Sequence, residues 1–173
     1  MESGGRRAGI QKGTELTESD LYPQIEKWLN NYLTDKYPKF HVETTYRSAS
    51  RKLESVLREY GLKFSNTLFL NIKVDLLGML RNKEKEELVF VEVKDAQLTL
   101  KDLGQLWGYT QLLNPLESFL ISSIGLGTLN ELYYTLNRRD LFVYGSKRER
   151  IMRAAVWLKD NGSLDYGSMV PRS

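Results

Sequence analysis

Glu92 and Lys94 are the residues whose placement first asks for chemistry. They lie two apart near the end of Leu88–Ala96, the run Leu-Val-Phe-Val-Glu-Val-Lys-Asp-Ala. A short apolar, β-branched run reads as a strand buried on both faces. Residues two apart on a strand project from the same face. Charges are seldom fully buried unless they are paired or bind a metal. A carboxylate and an ammonium side by side at the end of a buried strand suit hydrolysis of a phosphodiester. That reaction needs an activated water, neutralised phosphoryl oxygens and a stabilised leaving oxygen, and a divalent cation can supply all three. The structural alternative is an ion pair of Lys94 with Asp75 or Glu92.

Hard cations take oxygen ligands, and magnesium is commonly held by one or two carboxylates while it keeps several waters. Asp75 supplies the second carboxylate. It lies in Thr67–Leu80, an apolar, strand-like segment interrupted only by Lys73 and Asp75. The charged stretch Arg81–Glu87 reads as a hairpin turn, and Leu88–Lys94 returns as the second arm, which brings Asp75 beside Glu92. The carbonyl of Val93 is placed to face the same space. Lys94 would stabilise the attacking hydroxide or contact the phosphate.

The flanking elements must position this pair. A first helix is expected from Thr17–Asp20, with Ser19 as its cap so that Pro23 falls in the first turn. Leu21, Ile25, Trp28, Leu29, Tyr32 and Leu33 form its inward face, with Glu18 at the edge and Glu26 facing solvent. Phe40–Arg47 has strand composition, and Ala49–Tyr60 reads as a helix stopped by Gly61. Thr99 and Asp102 make a capping box for a helix over Thr99–Asn114, ended by Pro115. Leu103, Leu106, Trp107, Thr110 and Leu113 are its expected inward stripe, and Gln105 and Tyr109 stack on a neighbouring face. Phe119–Ile124 reads as a strand, Thr128–Asn137 as a helix and Leu141–Tyr144 as a strand. In Lys147–Lys159, Ile151, Ala154, Ala155 and Leu158 suit a helix, while Ala155–Leu158 could be a strand; the helix is the expectation. The order predicts an α/β domain whose central mixed sheet is flanked by helices on both faces. A right-handed crossover joins Lys94 to Phe119–Ile124.

The ordered set of Asp75, Glu92-Val-Lys94 and Gln105-Leu-Trp-Gly-Tyr109 resembles the PD-(D/E)xK nuclease superfamily. The Gln-x-x-x-Tyr element is similar to that of its RecB-type branch. The resemblance spans roughly Thr17 to Tyr144 and includes the αβββαβ order of the restriction-endonuclease-like core. It implies a magnesium- or manganese-dependent DNA nuclease. By that analogy Asp75 and Glu92 are metal ligands, Lys94 is the catalytic lysine, and Gln105 and Tyr109 help position the site and its nucleic acid. In several members a glutamate of the first helix also reaches the metal. Glu18 looks like that position, although an acidic residue at a helix start is also favoured by the helix dipole. The residue before Asp75 is Val74, where the family motif has proline. The segment from Phe40 to Asp75 is long and carries an extra helix.

Arg47, Arg51, Lys52, Arg58 and Lys63 cluster in and around the second helix, as a solvated face or as a phosphate-contacting one. The set Arg138, Arg139, Lys147, Arg148, Arg150 and Arg153 poses the same choice. Of these, Arg47, Arg51, Lys52, Arg148 and Arg150 are the candidate nucleic-acid contacts. Tyr133, Tyr134 and Tyr144 could stack on bases or belong to the core and its rim.

The totals fit this reading without demanding it. The chain has 173 residues, a net charge of +3 and a pI near 9.0, so one mildly basic domain is expected over 15–162. Residues 1–14 and 163–173 are expected to be mobile tails, the second composed like an engineered remnant. There is no cysteine and one histidine, which excludes disulfides, zinc-thiolate centres and any site needing two histidines. No apolar run has the length of a membrane span, and a soluble, cytoplasmic protein is expected. Two other functions remain on the same fold. One is a non-catalytic nucleic-acid-binding or assembly module; the other is a Holliday-junction resolvase, which would form a symmetric homodimer.

Overall fold

The computed structural model describes residues 17–62, 64 and 71–172. The expected N-terminal tail, Lys63 and the start of the segment Thr67–Leu80 lie wholly or partly outside these residues. A 3-10 turn, Glu18–Leu21, leads into α1 (Tyr22–Lys36). Thr17, not Ser19, is the N-terminal cap: the Asp20 carboxylate accepts hydrogen bonds from the Thr17 N–H and hydroxyl at 2.7 and 2.8 Å. Pro23 then falls in the first turn of α1, where its missing N–H costs nothing. Next come β1 (His41–Thr45), a 3-10 turn at Arg47–Ala49 and α2 (Leu53–Glu59). Gly61 ends α2 with φ +73°, a conformation a side chain would strain. The hairpin is β2 (Leu76–Arg81) and β3 (Glu86–Lys94). The remainder is α3 (Leu100–Leu113), β4 (Glu117–Ser122), α4 (Thr128–Asn130, continuing as a π-helix to Thr135), β5 (Val143–Tyr144), β6 (Arg150–Leu158) and β7 (Ser163–Val170).

The seven strands form one mixed sheet in the order β1-β2-β3-β4-β6-β5, with β7 also paired to β6. β1, β2 and β3 pair antiparallel, whereas β3, β4 and β6 run parallel. Strand periodicity separates two cores. Leu76, Leu80, Val89, Val91, Val93, Phe119 and Trp157 pack with Leu21, Ile25, Leu29 and Leu33 of α1. Leu77, Met79, Leu88, Phe90 and Leu120 pack with α2, α3 and α4 on the other side. The expected mixed sheet with helices on both faces is therefore present. Gly78 lets α1 approach β2 closely, since a Cβ there would lie 2.7 Å from a Leu33 methyl. Among the described residues no helix is long and apolar enough to cross a membrane.

Four expectations are corrected. Lys147–Lys159 holds a strand, β6, because Met152, Ala154 and Ala155 are buried between the parallel neighbour β4 and the antiparallel β7. Local helix-compatible spacing loses to that pairing. Gly162–Ser173 contains β7, whose Leu164, Met169 and Val170 are buried, so this segment is part of the fold up to Arg172. Trp107 is 42% exposed and lies off the inward stripe of α3, which consists of buried Leu103, Leu106 and Thr110 with half-buried Leu113 packed against the same core. Glu26 is half-buried: burial raises its pKa and the charge of Arg47 pulls it back.

Glu117 is a buried carboxylate to which the sequence reading assigned no role. Its oxygens accept from Tyr32 and Tyr37 at 2.8 and 2.5 Å, and from Lys36 and Arg153 at 2.9 Å each. This ties the end of α1 to β4 and β6. The Glu117→Ala protein is expected to lose about 3–5 kcal/mol, because the half-buried Arg153 loses its counter-charge. Lys36→Ala, at the exposed rim of the cluster, is expected to cost under about 1 kcal/mol. Urea unfolding of the two variants checks the difference.

Candidate active site

The hairpin register brings the two carboxylates together. Leu76 pairs with Val91, so one further step sets Asp75 across from Glu92. Cross-strand partners share a face. Asp75 sits one residue ahead of β2 rather than inside a strand. There its Oδ2 accepts from the Val93 N–H at 2.8 Å, an edge donor that the β2 ladder no longer uses. Glu92 and Lys94 follow Leu88 and Phe90 onto the α3 side of β3.

Lys94 lies at the centre of the cluster. Its Nζ is 3.6 Å from Glu92 Oε2, 3.8 Å from Asp75 Oδ2 and 3.8 Å from Glu18 Oε1. It donates to the Val93 carbonyl at 2.9 Å. Burial pulls the ammonium pKa down, but the carboxylates of Asp75, Glu92, Glu18 and Asp102 outweigh it, leaving the pKa above the ordinary lysine value. Lys94 is thus a fixed positive charge at neutral pH and not a proton acceptor. Among the described residues no three His, Asp or Glu side chains close on one point with metal-ligand spacing. The ammonium stands between them instead.

Glu92 is the strained member. It is 3% exposed, and its Oε1 has no hydrogen-bond partner among the described residues. An unpartnered buried carboxylate oxygen is costly and suits a group that receives a ligand. Burial, then the negative charge of Asp75, push its carboxyl up to about 8 against the pull of Lys94.

Tyr22 belongs to the cluster and was not foreseen from the sequence. Its hydroxyl donates to Asp75 Oδ1 at 2.9 Å and to Glu18 Oε1 at 3.3 Å. Burial first, then Asp75 and Glu18, raise its pKa far above the phenolic range. The available signal was its position one turn after Glu18, which stacks the two side chains. Glu18 itself reaches the site from the 3-10 turn. From α3, Tyr109 is half-buried and close enough for Glu92 and Asp75 to add to the effect of burial in raising its pKa. Gln105 is exposed, and no hydrogen bond joins it to the described part of the cluster.

The basic candidates divide by location. β1 ends beside Leu77 at the Asp75 end of the hairpin, so Arg47, Arg51 and Lys52, which follow it, lie at the site end of the sheet. Arg47 and Arg51 both pair with Glu59, at 3.6 and 2.6 Å. Arg148 precedes β6 and Arg150 opens it; β6 runs parallel to β4 and β3, so both stand at the opposite end from Lys94. Arg150 is also held by the Asn114 carbonyl and by Glu87, and Arg148 by the Asp140 carbonyl. These two do not join the site.

Comparison of the chain with family models, with curated proteins and with solved structures gives no match.

Stability should report the Glu92 proton. The unfolded carboxyl titrates near ~4.3, while the folded one titrates at about 8. Between these values only the folded state holds the proton. The contribution is therefore complete below ~4.3 and is lost as pH rises through the folded value. In chelator, Glu92→Gln is expected to exceed the parent in stability by roughly 1–3 kcal/mol near pH 9, with the difference vanishing near pH 5. Urea titrations at the two pH values decide it; a parent with flat stability across this range contradicts the assignment.

Proposed function

We propose that this chain is a metal-dependent DNA nuclease on a restriction-endonuclease-like core, hydrolysing phosphodiester bonds. The observation that carries the proposal is the convergence of Asp75, Glu92 and Lys94 at the end of β3, with Glu18 and Tyr109 alongside. Glu18, Asp75, the Glu92–Lys94 pair and Tyr109 come from four separate segments of the chain, and no packing need is met by placing two carboxylates together. The topology is consistent with the family resemblance: α1, three antiparallel strands, α3, then β4 parallel to β3.

The donor set fits a hard cation. It is all oxygen, and the buried Oε1 of Glu92 has no hydrogen-bond partner among the described residues. Asp75 and Glu92 would hold magnesium or manganese, with the Val93 carbonyl and Glu18 as further oxygens, and two carboxylates suffice for magnesium. The ion would supply an activated water and charge neutralisation. The chain's own residues do the rest. Lys94, held cationic, neutralises charge that builds on the phosphoryl oxygens. Tyr22 fixes the rotamer of Asp75, and the Val93 N–H holds its other oxygen, so the carboxylate is oriented before substrate arrives. Tyr109 covers the site from α3. Arg47, Arg51 and Lys52 offer phosphate contacts at the same end of the sheet, once Arg47 and Arg51 exchange Glu59 for the backbone.

The test is cleavage of single-stranded, duplex, flapped and branched DNA with magnesium or manganese. Lys94→Ala and Asp75→Ala are each expected to lower the rate at least ~100-fold while melting as cooperatively as the parent. Tyr22→Phe is expected to lower it about 10-fold, as for a group that orients a ligand. Undiminished cutting by both Lys94→Ala and Asp75→Ala takes the chemistry away from this cluster, and no cutting of any of these substrates by the parent removes the nuclease reading.

A further inference from the structure

An open cleft of about 620 Å³ is walled by the segments that follow the carboxyl ends of β3 and β4 and by the last residues of β7 and its continuation to Arg172. Its walls include Gln97, Gly127, Asn130, Tyr134, Ser168 and Arg172. Gln97 is three residues past Lys94, so at most ~3.5 Å per residue keeps the Cα atoms of the two residues within about 10 Å of each other. Ligands of open α/β sheets gather in this region, outside the strand ends.

The lining suits one chemistry. Tyr134 is 51% exposed, while its neighbour Tyr133 is buried and packed edge-on against it at 5.0 Å. A large ring held at the rim by a buried partner is a stacking platform. Gln97 and Asn130 offer amides, which can both donate to and accept from a base edge. Among the described residues, Arg172 is the one charged residue of the walls and no carboxylate lines them. Such a cleft accepts an anion that carries a flat, hydrogen-bonding ring. Gly127 has φ +50°, and a Cβ there would collide with the Leu98 carbonyl oxygen, so this wall packs directly against Leu98 and the Gln97 side chain.

We infer that this cleft is a nucleotide subsite: it stacks an unpaired base on Tyr134 and orients one nucleotide of a single-stranded segment next to the scissile phosphate. The inference rests on the nuclease reading and adds to it a substrate with a single-stranded stretch at the site. Base–aromatic stacking tolerates every base, so the subsite selects strand state rather than sequence.

The experiment uses short single-stranded DNA oligonucleotides with 2-aminopurine placed at each position in turn, in chelator so that no turnover occurs. The parent is expected to quench one position, and Tyr134→Ala is expected to lose that quench and bind about 5- to 100-fold more weakly. Tyr134→Phe is expected to keep both. Tyr134 is exposed, so its loss should leave the melting temperature unchanged, and this is measured alongside. Equal affinity and equal quenching for Tyr134→Ala, or no binding of single strands by the parent, overturns the subsite. The two readings separate because Lys94→Ala should retain the quench. If the parent cleaves no DNA with magnesium or manganese while Tyr134→Ala loses binding and quench, the nuclease assignment fails and the nucleotide site stands.

Discussion

The site depends on an antiparallel register. Leu76 opposite Val91 puts Asp75 opposite Glu92, and a slip of one residue would turn one of them to the α1 side of the sheet. That register is fixed by two buried faces at once. Leu76, Leu80, Val89 and Val91 face α1, while Leu77, Met79, Leu88 and Phe90 face α2 and α3. Apolar burial on both sides therefore aligns the polar end of the hairpin, although none of those apolar residues touches a substrate.

Two like charges so placed repel, and the fold answers in three ways. Lys94 stands between the carboxylates, Tyr22 and the Val93 N–H hold Asp75, and Glu92 takes up a proton. Glu92 remains incompletely satisfied, with one buried oxygen unpartnered. The contrast with Glu117 is instructive. Glu117 is also a buried glutamate on a neighbouring strand, but four donors meet it. A satisfied buried carboxylate reads as structure, and an unsatisfied one beside a second carboxylate reads as a site.

The sheet has two functionally different ends. The end of the sheet at the carboxyl ends of β3 and β4 carries the cluster, the Gln97 and Gly127 walls of the cleft and the turn that follows β1. The opposite end carries the Glu117 network and Arg150, whose side chain is spent on Asn114 and Glu87. Parallel pairing of β3, β4 and β6 creates that division, because it sends three connecting segments to one edge.

What the sequence alone determined was local. Glu92 and Lys94 share a face because strands repeat every two residues, and α3 starts at Thr99 because Thr99 and Asp102 satisfy each other's backbone neighbours. The hairpin could be read from two apolar arms around a charged turn, and with it the meeting of Asp75 and Glu92. Only the tertiary structure decided the rest. β6 and β7 are strands because they have partners across the sheet, and their own residues are equally compatible with a helix or a tail. Tyr22 joins the cluster, and Arg148 and Arg150 leave it, because strand direction sets which end of the sheet each one occupies. Periodicity along the chain carries no information about that choice; it is made by contacts between segments dozens of residues apart.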